Sequence, residues 1–311
     1  MIVTVTLNAA LDITHHVDRL LPHAAHRVRD VGARAGGKGV NVSRVLHTLG
    51  RPTLVTGLAG GPTGEAVRRD LDRAGLPQRL TPISGETRRT VAVVDAHTGD
   101  TTTLLEPGPA VRPDEWRSFL ACFDEILDGS RGVPGPLAVV LSGSLPPGVP
   151  EDAYATLVLA ARARGVPAVL DTSGPALHRA LPAGPALVKP NADELAEATG
   201  ESDPYRAAHA LRFAGAEAVV ASLGPDGVLA VTGSGTWRAA PPERLRGNPT
   251  GAGDAAVAAL TRGLVAGVPW PERLAEAVAL SASAVAAPLA GSFDPLVHRR
   301  LRGAVEVRPV P

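Results

Sequence analysis

The densest chemistry in this 311-residue chain lies in Asn248-Pro-Thr-Gly-Ala-Gly-Asp254, which leads into the apolar run Ala255-Ala-Val-Ala-Ala-Leu260. Gly251, Ala252 and Gly253 at a loop-to-helix junction let backbone N–H groups converge on one point, and the helix dipole adds positive potential there. Such an anion hole suits charge developing on a transferred phosphoryl group. Asp254, in the first turn of a helix predicted over 252–266, is placed to take a proton from a hydroxyl nucleophile. A plainer reading stays open, with Asp254 as a helix-terminus carboxylate and the glycines as a turn.

A second glycine cluster, Gly36-Gly-Lys-Gly-Val-Asn41, opens another predicted helix. Lys38 and Asn41, three apart, share a helix face, and the glycines admit a ligand close to the backbone. Gly32 to Lys38 nearly spells a phosphate-binding P-loop, but Gly39 stands where Ser or Thr would ligate magnesium. The spacing also fits a glycine-rich turn with a solvated lysine. Lys189-Pro-Asn-Ala-Asp-Glu194 ends one predicted strand, and Asn191 with Glu194 has the spacing of a helix capping box, compatible with a functional role as well. Ser142-Gly-Ser-Leu-Pro-Pro-Gly148, which contains Ser144, ends a second strand, and Ser222-Leu-Gly-Pro-Asp-Gly227 ends a third. Ligands of open α/β sheets bind at the carboxyl ends of strands. Asp12, closing Thr6-Leu-Asn-Ala-Ala-Leu-Asp12, could hold sugar hydroxyls or merely serve a turn. Arg88 and Arg89 are either solvated or hold a phosphate by paired hydrogen bonds. Nine histidines show no metal-ligand spacing, His15, His16, His23 and His26 reading as surface residues, and no nucleophile elbow or Ser-His-Asp order suggests a hydrolase.

The elements that must position these residues are legible from apolar periodicity. Short runs rich in Val and Leu predict strands at 2–7, 53–58, 137–141, 168–171, 186–189, 218–222 and 228–232. Helical patterns predict 40–49, 64–74, 113–127, 151–164, 192–199, 205–214, 252–266 and 271–286. Strands with little polar alternation are buried on both faces, as a parallel sheet requires, and strand–helix repetition predicts a doubly wound three-layer α/β fold. Segments 13–34 and 86–106 break the rhythm. The second reads as a hairpin, with Ala96-His-Thr-Gly-Asp100 as its turn, and the two predict a small antiparallel flap at one edge.

Composition excludes several classes. The 31 basic and 31 acidic residues balance, which gives no support for a nucleic-acid or membrane-surface binder. Only two of the basic residues, Lys38 and Lys189, are lysines, and both stand in the glycine or polar motifs above. Gly (34) and Pro (29) are abundant, but a chain 44% hydrophobic is not disordered. The single cysteine, Cys122, allows neither an intrachain disulfide nor a cysteine metal cluster. The N-terminus alternates like a strand, with no basic leader, and the uncharged stretch 277–293 is broken by serines and Pro288. A cytoplasmic protein is the expectation.

The constellation resembles the phosphofructokinase-B, or ribokinase-like, carbohydrate kinase family, over residues 2–292. Gly36-Gly-Lys-Gly-Val-Asn-Val-Ser43 looks like its N-terminal signature and Pro249-Thr-Gly-Ala-Gly-Asp254 like its C-terminal one. Thr6–Asp12, Gly85-Glu-Thr-Arg88, Ser142–Gly148 and Lys189-Pro-Asn191 are similar to its phosphosugar branch of 1-phosphofructokinases, tagatose-6-phosphate kinases and minor 6-phosphofructokinases. The resemblance implies a single ribokinase-like domain over 1–311, a mostly parallel sheet and a small antiparallel β-clasp lid that often forms a homodimer interface. It implies ATP as co-substrate, Mg²⁺, and a phosphorylated ketohexose, tagatose 6-phosphate or fructose 1-phosphate, converted to the bisphosphate. Asp254 would be the base, with Gly251, Ala252 and Gly253 forming the anion hole. Asp12, Gly37, Asn41 and Ser144 would hold the sugar, and Lys38, Arg88 and Arg27 its phosphate. Lys189, Asn191, Ser222, Gly224 and Gly227 would hold the nucleotide, flanked by 281–291, and Asn191 with Glu194 would organise Mg²⁺ through water. A kinase of an unphosphorylated sugar or nucleoside, a non-catalytic sugar-phosphate sensor and a P-loop NTPase are the alternatives. Two departures stand out. Asn248 replaces the aspartate common in cation-dependent members, and Ala9 replaces a proline usual in this branch.

Overall fold

Ile2 packs into one apolar core while Val3 and Val5 enter another, on opposite faces of the first strand, in the computed structural model, which describes residues 1–129 and 135–310. Its strands are β1 (Ile2–Thr6), β2 (Ala10–Val17), β3 (Asp30–Gly36), β4 (Thr53–Ala59), β5 (Gln78–Pro82), β6 (Arg88–Asp95), β7 (Thr101–Leu105), β8 (Ala138–Ser142), β9 (Ala168–Asp171), β10 (Leu187–Val188), β11 (Val219–Ser222), β12 (Val228–Thr232), β13 (Gly235–Ala240) and β14 (Glu306–Val310). The α-helices are α1 (Lys38–Thr48), α2 (Gly61–Arg73), α3 (Pro113–Asp128), α4 (Ala153–Ala163), α5 (Gly174–Ala180), α6 (Ala192–Thr199), α7 (Pro204–Phe213), α8 (Ala252–Val265), α9 (Trp270–Val285) and α10 (Pro295–Arg302).

Ten strands form the main sheet in the order β14-β13-β12-β11-β10-β9-β8-β1-β4-β5. From β11 to β5 all neighbours run parallel, and the β11–β14 flank is antiparallel. Side-chain alternation divides the apolar residues: Val139 and Leu141 of β8 pack with α3, α4, α5 and α7, while Val140 joins α1, α8 and α9 on the other face. This is the doubly wound three-layer arrangement expected from buried, non-alternating strands. β1 lies between β4 and β8, so the chain order reverses beside it, which is where ligands of open α/β sheets bind.

The segments that broke the rhythm form a separate four-stranded clasp, ordered β3-β2-β6-β7. Each of the hairpins β2–β3 and β6–β7 is antiparallel, and their inner strands β2 and β6 pair in parallel, Asp12 opposite Thr90. Strands β5, β13 and β14 and helices α5 and α10 lie outside the predicted elements. β5, β13 and β14 sit at or near the sheet flanks, where one face needs no apolar residues, and α10 buries only Leu301. Both leave little periodic signal. α2 begins at Gly61 rather than Gly64 because Pro62 suits a first helical turn. Among the described residues, no helix is long and apolar enough to cross a membrane.

Candidate active site

Thr6, Gly143 and Ser144, and Thr172 and Ser173, at the carboxyl ends of β1, β8 and β9, line a cavity of about 460 Å³ together with Asn8, Gly37, Lys38, Arg88 and Glu194. β3 enters α1 directly through Gly37, whose φ of 107° lies in the left-handed region. A Cβ there would stand 2.7 Å from Thr6 Cγ2, so only glycine lets α1 start against β1. Lys38 thereby becomes the first residue of α1 and points into the cavity.

The two lysines converge on one carboxylate. Lys38 Nζ lies 3.5 Å and Lys189 Nζ 3.4 Å from Oδ1 of Asp171, the last residue of β9. Lys189 and Asp171 are both buried. Lys38 is also 3.8 Å from Oε1 of Glu194. Burial pulls the Lys38 ammonium down, but Asp171, Glu194 and Asp254 outweigh it and hold the group above its ordinary range. Asp171 is the residue that sequence reasoning missed. A single carboxylate at a strand end has no local motif, and its importance rests on partners brought from Lys38 and Lys189.

Asp254 occupies the first turn of α8 and is buried. Asn41 Nδ2 donates to its Oδ2 at 2.9 Å, which joins the two glycine motifs across 213 residues of sequence. Burial and the nearby Asp171 charge raise the Asp254 carboxyl to about 6, against the hydrogen bond from Asn41 and the charges of Lys38 and Lys189. Gly251 caps α8 with φ 87°, and a Cβ there would meet Ala290 Cα at 2.9 Å and Gly291 N at 3.0 Å. Gly291 in turn lies against Asn41. Lys189 Nζ lies 3.4 Å from the position a Cβ on Gly253 would take, so Ala252 and Gly253 open α8 toward that lysine.

Asn191 and Glu194 form a reciprocal capping box: Glu194 N donates to Asn191 Oδ1 at 2.8 Å, and Asn191 N to Glu194 Oε2 at 2.9 Å. The structural reading of that motif holds, and it leaves Glu194 Oε1 facing Lys38 in the cavity. Ser222 bridges to Asn191 at the next strand end. Gly227 is a packing glycine whose Cβ would strike the Ala239 carbonyl, whereas Gly224, at φ 60°, has open space beside it.

At the clasp side, Arg88 Nε donates to the Asn8 carbonyl at 3.2 Å, and Asn8 Nδ2 donates to Ser144 Oγ at 3.1 Å. Asn8 Oδ1 and Thr6 Oγ1 are buried without a hydrogen-bond partner among the described residues. Asp12 lies in β2, and a Cβ on Gly36 would overlap its carboxylate. Burial raises the Asp12 carboxyl, against the Thr90 hydroxyl and the charges of Arg88, Arg34 and Arg44. Arg27 stands apart, exposed in the connection between β2 and β3. Arg89 is drawn into an exposed ion pair with Glu106. β3, which supplies Gly32, belongs to the clasp rather than to a parallel core strand, unlike a P-loop.

A parallel sheet whose strand ends hold a glycine-capped helix with a buried carboxylate, and two lysines beside it, defines a phosphotransferase class of site. The sequence profile of the pfkB family carbohydrate kinases matches residues 4–295, and the chain belongs to that family. It is similar to solved structures of phosphofructokinase-2 from Escherichia coli. One, in complex with fructose-6-phosphate, is 30% identical with TM-score 0.87, covering 97% of this chain and 98% of that one. Another, a tetrameric inhibited form, has TM-score 0.88 at 30% identity and the same coverage. A structure described as a "Possible 1-phosphofructokinase" from Thermotoga maritima is 26% identical over 100% of both chains, with TM-score 0.87.

Proposed function

We propose that this carbohydrate kinase transfers the γ-phosphoryl group of ATP to a hydroxyl of a ketohexose monophosphate, tagatose 6-phosphate or fructose 1-phosphate, with fructose 6-phosphate as the third member of the class. The observation that carries the phosphorylated substrate is the placing of Arg88 and Lys38 on one cavity. Lys38 also faces Asp171 and Glu194, so it would serve the transferring end as well as the resident phosphate. Arg88, with Asn8 and Ser144, then meets the substrate's resident phosphate, and Asp12, Gly37 and Asn41 its hydroxyls. A guanidinium facing a neutral sugar would be poorly matched. Arg27, exposed in the clasp connection, reaches the phosphate only if the clasp closes or pairs with a second copy.

Asp254 accepts the proton as the hydroxyl oxygen attacks phosphorus and the bond to ADP breaks in line. A carboxyl raised to about 6 is mostly ionised at neutral pH, yet basic enough to take a proton. The N–H groups of Gly251, Ala252 and Gly253 receive the charge developing on the phosphoryl oxygens, and Lys189 and Lys38 add positive charge beside them. Asn191, Ser222, Gly224 and Gly227 form the strand-end rim on which the nucleotide rests, flanked by 281–291.

The donor set fits magnesium carried in with the nucleotide. Among the described residues no three metal-ligating side chains cluster, while Glu194 Oε1 faces the cavity. Mg²⁺ keeps most of its shell as water and phosphate oxygen and needs one or two carboxylates. Glu194, oriented by Asn191, would hold it through water, and the ion would supply charge neutralisation on the phosphates. The clasp presents Leu104 and Leu105 to solvent, 60% and 71% exposed, which supports a homodimer through that sheet.

A coupled ADP-release assay over tagatose 6-phosphate, fructose 1-phosphate and fructose 6-phosphate, with tagatose, fructose and nucleosides as controls, tests the reading. Turnover of one phosphorylated sugar well above every control is expected. Preference for an unphosphorylated acceptor would overturn it, and ATP hydrolysis or sugar-phosphate binding without transfer would point to a sensor.

A further inference from the structure

A second cavity, of about 360 Å³, lies at the opposite end of α8 from Asp254. Arg262, which lines it, is eight residues beyond Asp254, about 12 Å along the helix axis. Four arginines line it: Arg51 from beyond α1, Arg262 of α8, Arg273 of α9 and Arg302 of α10. Two glutamates, Glu272 and Glu276, both of α9, line it with them. Arg262 Nη2 donates to Glu276 Oε1 at 2.5 Å, Arg302 Nε lies 3.1 Å from Oε2, and His298 Nε2 lies 3.2 Å from Oε1. One carboxylate thus serves two guanidiniums and an imidazole.

Arg273 is 8% exposed. Its Nη2 donates to the Val268 carbonyl at 2.8 Å, and its guanidinium carbon stands 4.3 Å from the centre of the Trp270 ring. Its Nε has no hydrogen-bond partner among the described residues. An idle donor on a buried cation is costly to keep. The negative end of the α8 dipole accounts for Arg262, in the last turn of that helix. It does not account for Arg51 and Arg302, which reach the cavity from other elements. Among the described residues, none of these groups is hydrogen-bonded or ion-paired to a residue of the active site.

We propose that this cavity is a second anion site that binds a phosphate-type oxyanion, inorganic phosphate or a phosphate monoester. The lining has two more guanidiniums than carboxylates, enough to balance a dianion. Planar guanidinium forks match phosphate oxygens with paired hydrogen bonds. The wall is made where α8, α9 and α10 meet Arg51, three residues past the end of α1, so the site does not depend on the clasp or on the phosphosugar reading.

The test is calorimetric titration of the full chain with inorganic phosphate and, separately, with glycerol 3-phosphate, at constant ionic strength. To silence the active site, the titrations use the Lys38→Met/Arg88→Met variant, with tryptophan emission followed in parallel because Trp270 lies against Arg273. Saturable binding that perturbs the emission is expected, and the tighter of the two anions identifies the source. Adding Arg51→Gln and Arg302→Gln, both exposed positions, should weaken it about tenfold or more while the thermal midpoint stays near its starting value. Arg273→Lys, which keeps the charge and loses the fork, should weaken it too. Absence of saturable binding in the Lys38→Met/Arg88→Met protein, or binding unchanged by the Arg51 and Arg302 substitutions, would overturn the proposal.

Discussion

Asn41 holds Asp254 by a hydrogen bond from Nδ2 to Oδ2 at 2.9 Å, so the first glycine motif tempers the basicity that burial and Asp171 give the carboxylate in the last one. The bond stabilises the ionised form and opposes the upward push of burial. Removing the donor, in Asn41→Leu, should raise the Asp254 carboxyl further above about 6. The acid limb of the kcat/KM profile then moves to higher pH, and activity at pH 7 falls while that at pH 9 recovers part of the loss. A profile with the acid limb unmoved would remove Asp254 from the role of base.

Asp254→Asn should bind ATP and sugar phosphate nearly as well as the parent and lose about 10²–10⁴-fold in kcat, the range for a positioned general base. It should also be more stable at pH 8. A carboxyl whose folded value is raised from 3.8 to about 6 weakens the fold wherever it is ionised there. That cost is absent below pH 3.8, grows through the window and is complete above 6. The gain is on the order of 1–3 kcal/mol at pH 8 and should close as pH falls toward 4. Thermal melts of both proteins across pH 4–8 measure it.

Lys189→Arg and Lys38→Arg should differ. Lys189 is buried between Asp171 and Gly253, where a planar fork has no room, so its kcat should drop by about tenfold or more. Lys38, with its side chain 40% exposed, should tolerate the change better. Steady-state kinetics of the two variants decide whether the pair of lysines in an arginine-rich chain is chemical or accidental, since unchanged rates in both would make it accidental.

Arg88→Met should raise KM for the sugar phosphate by about tenfold to a hundredfold, the worth of a charge-assisted hydrogen bond, and leave KM for ATP alone. A free ketohexose should be used no worse by the variant than by the parent. An equal loss with free and phosphorylated sugar would place Arg88 in clasp structure instead of substrate binding.

Gly251→Ala should be damaging out of proportion to its single methyl. The backbone sits at φ 87°, and the new Cβ would meet the backbone at Ala290 and Gly291. A few kcal/mol of strain at that cap is expected, together with reduced kcat if the N–H groups that follow it form the proposed anion hole. A melt and a kcat both within error of the parent would show that the cap is not strained.

The glycine motifs and core strands were legible because their requirements are local. A residue such as Gly37 or Gly251 answers to its own φ, and Val139, Val140 and Leu141 answer to a sheet buried on both faces. Asp171 was not legible, because a carboxylate ending a strand is unremarkable until Lys38 and Lys189 reach it. The flanking strands β5, β13 and β14 escaped for a related reason. Their pattern reflects neighbours such as the β13 residues Thr236–Ala240 against β14, which only the folded chain supplies. Arg88 opens β6, in a segment whose hairpin pattern is legible, but its bond to the Asn8 carbonyl depends on a parallel pairing of two distant hairpins.

Only Leu7, Asn8 and Ala9 separate β1, an interior strand of the main sheet, from β2, an interior strand of the clasp. The clasp is therefore not suspended from a slack loop but cantilevered from a buried interior strand, with Asn8 at the elbow and Asp12 a few residues along the arm. A clasp that closed over a substrate would turn that elbow with it, so that closing and gripping would be one movement instead of two.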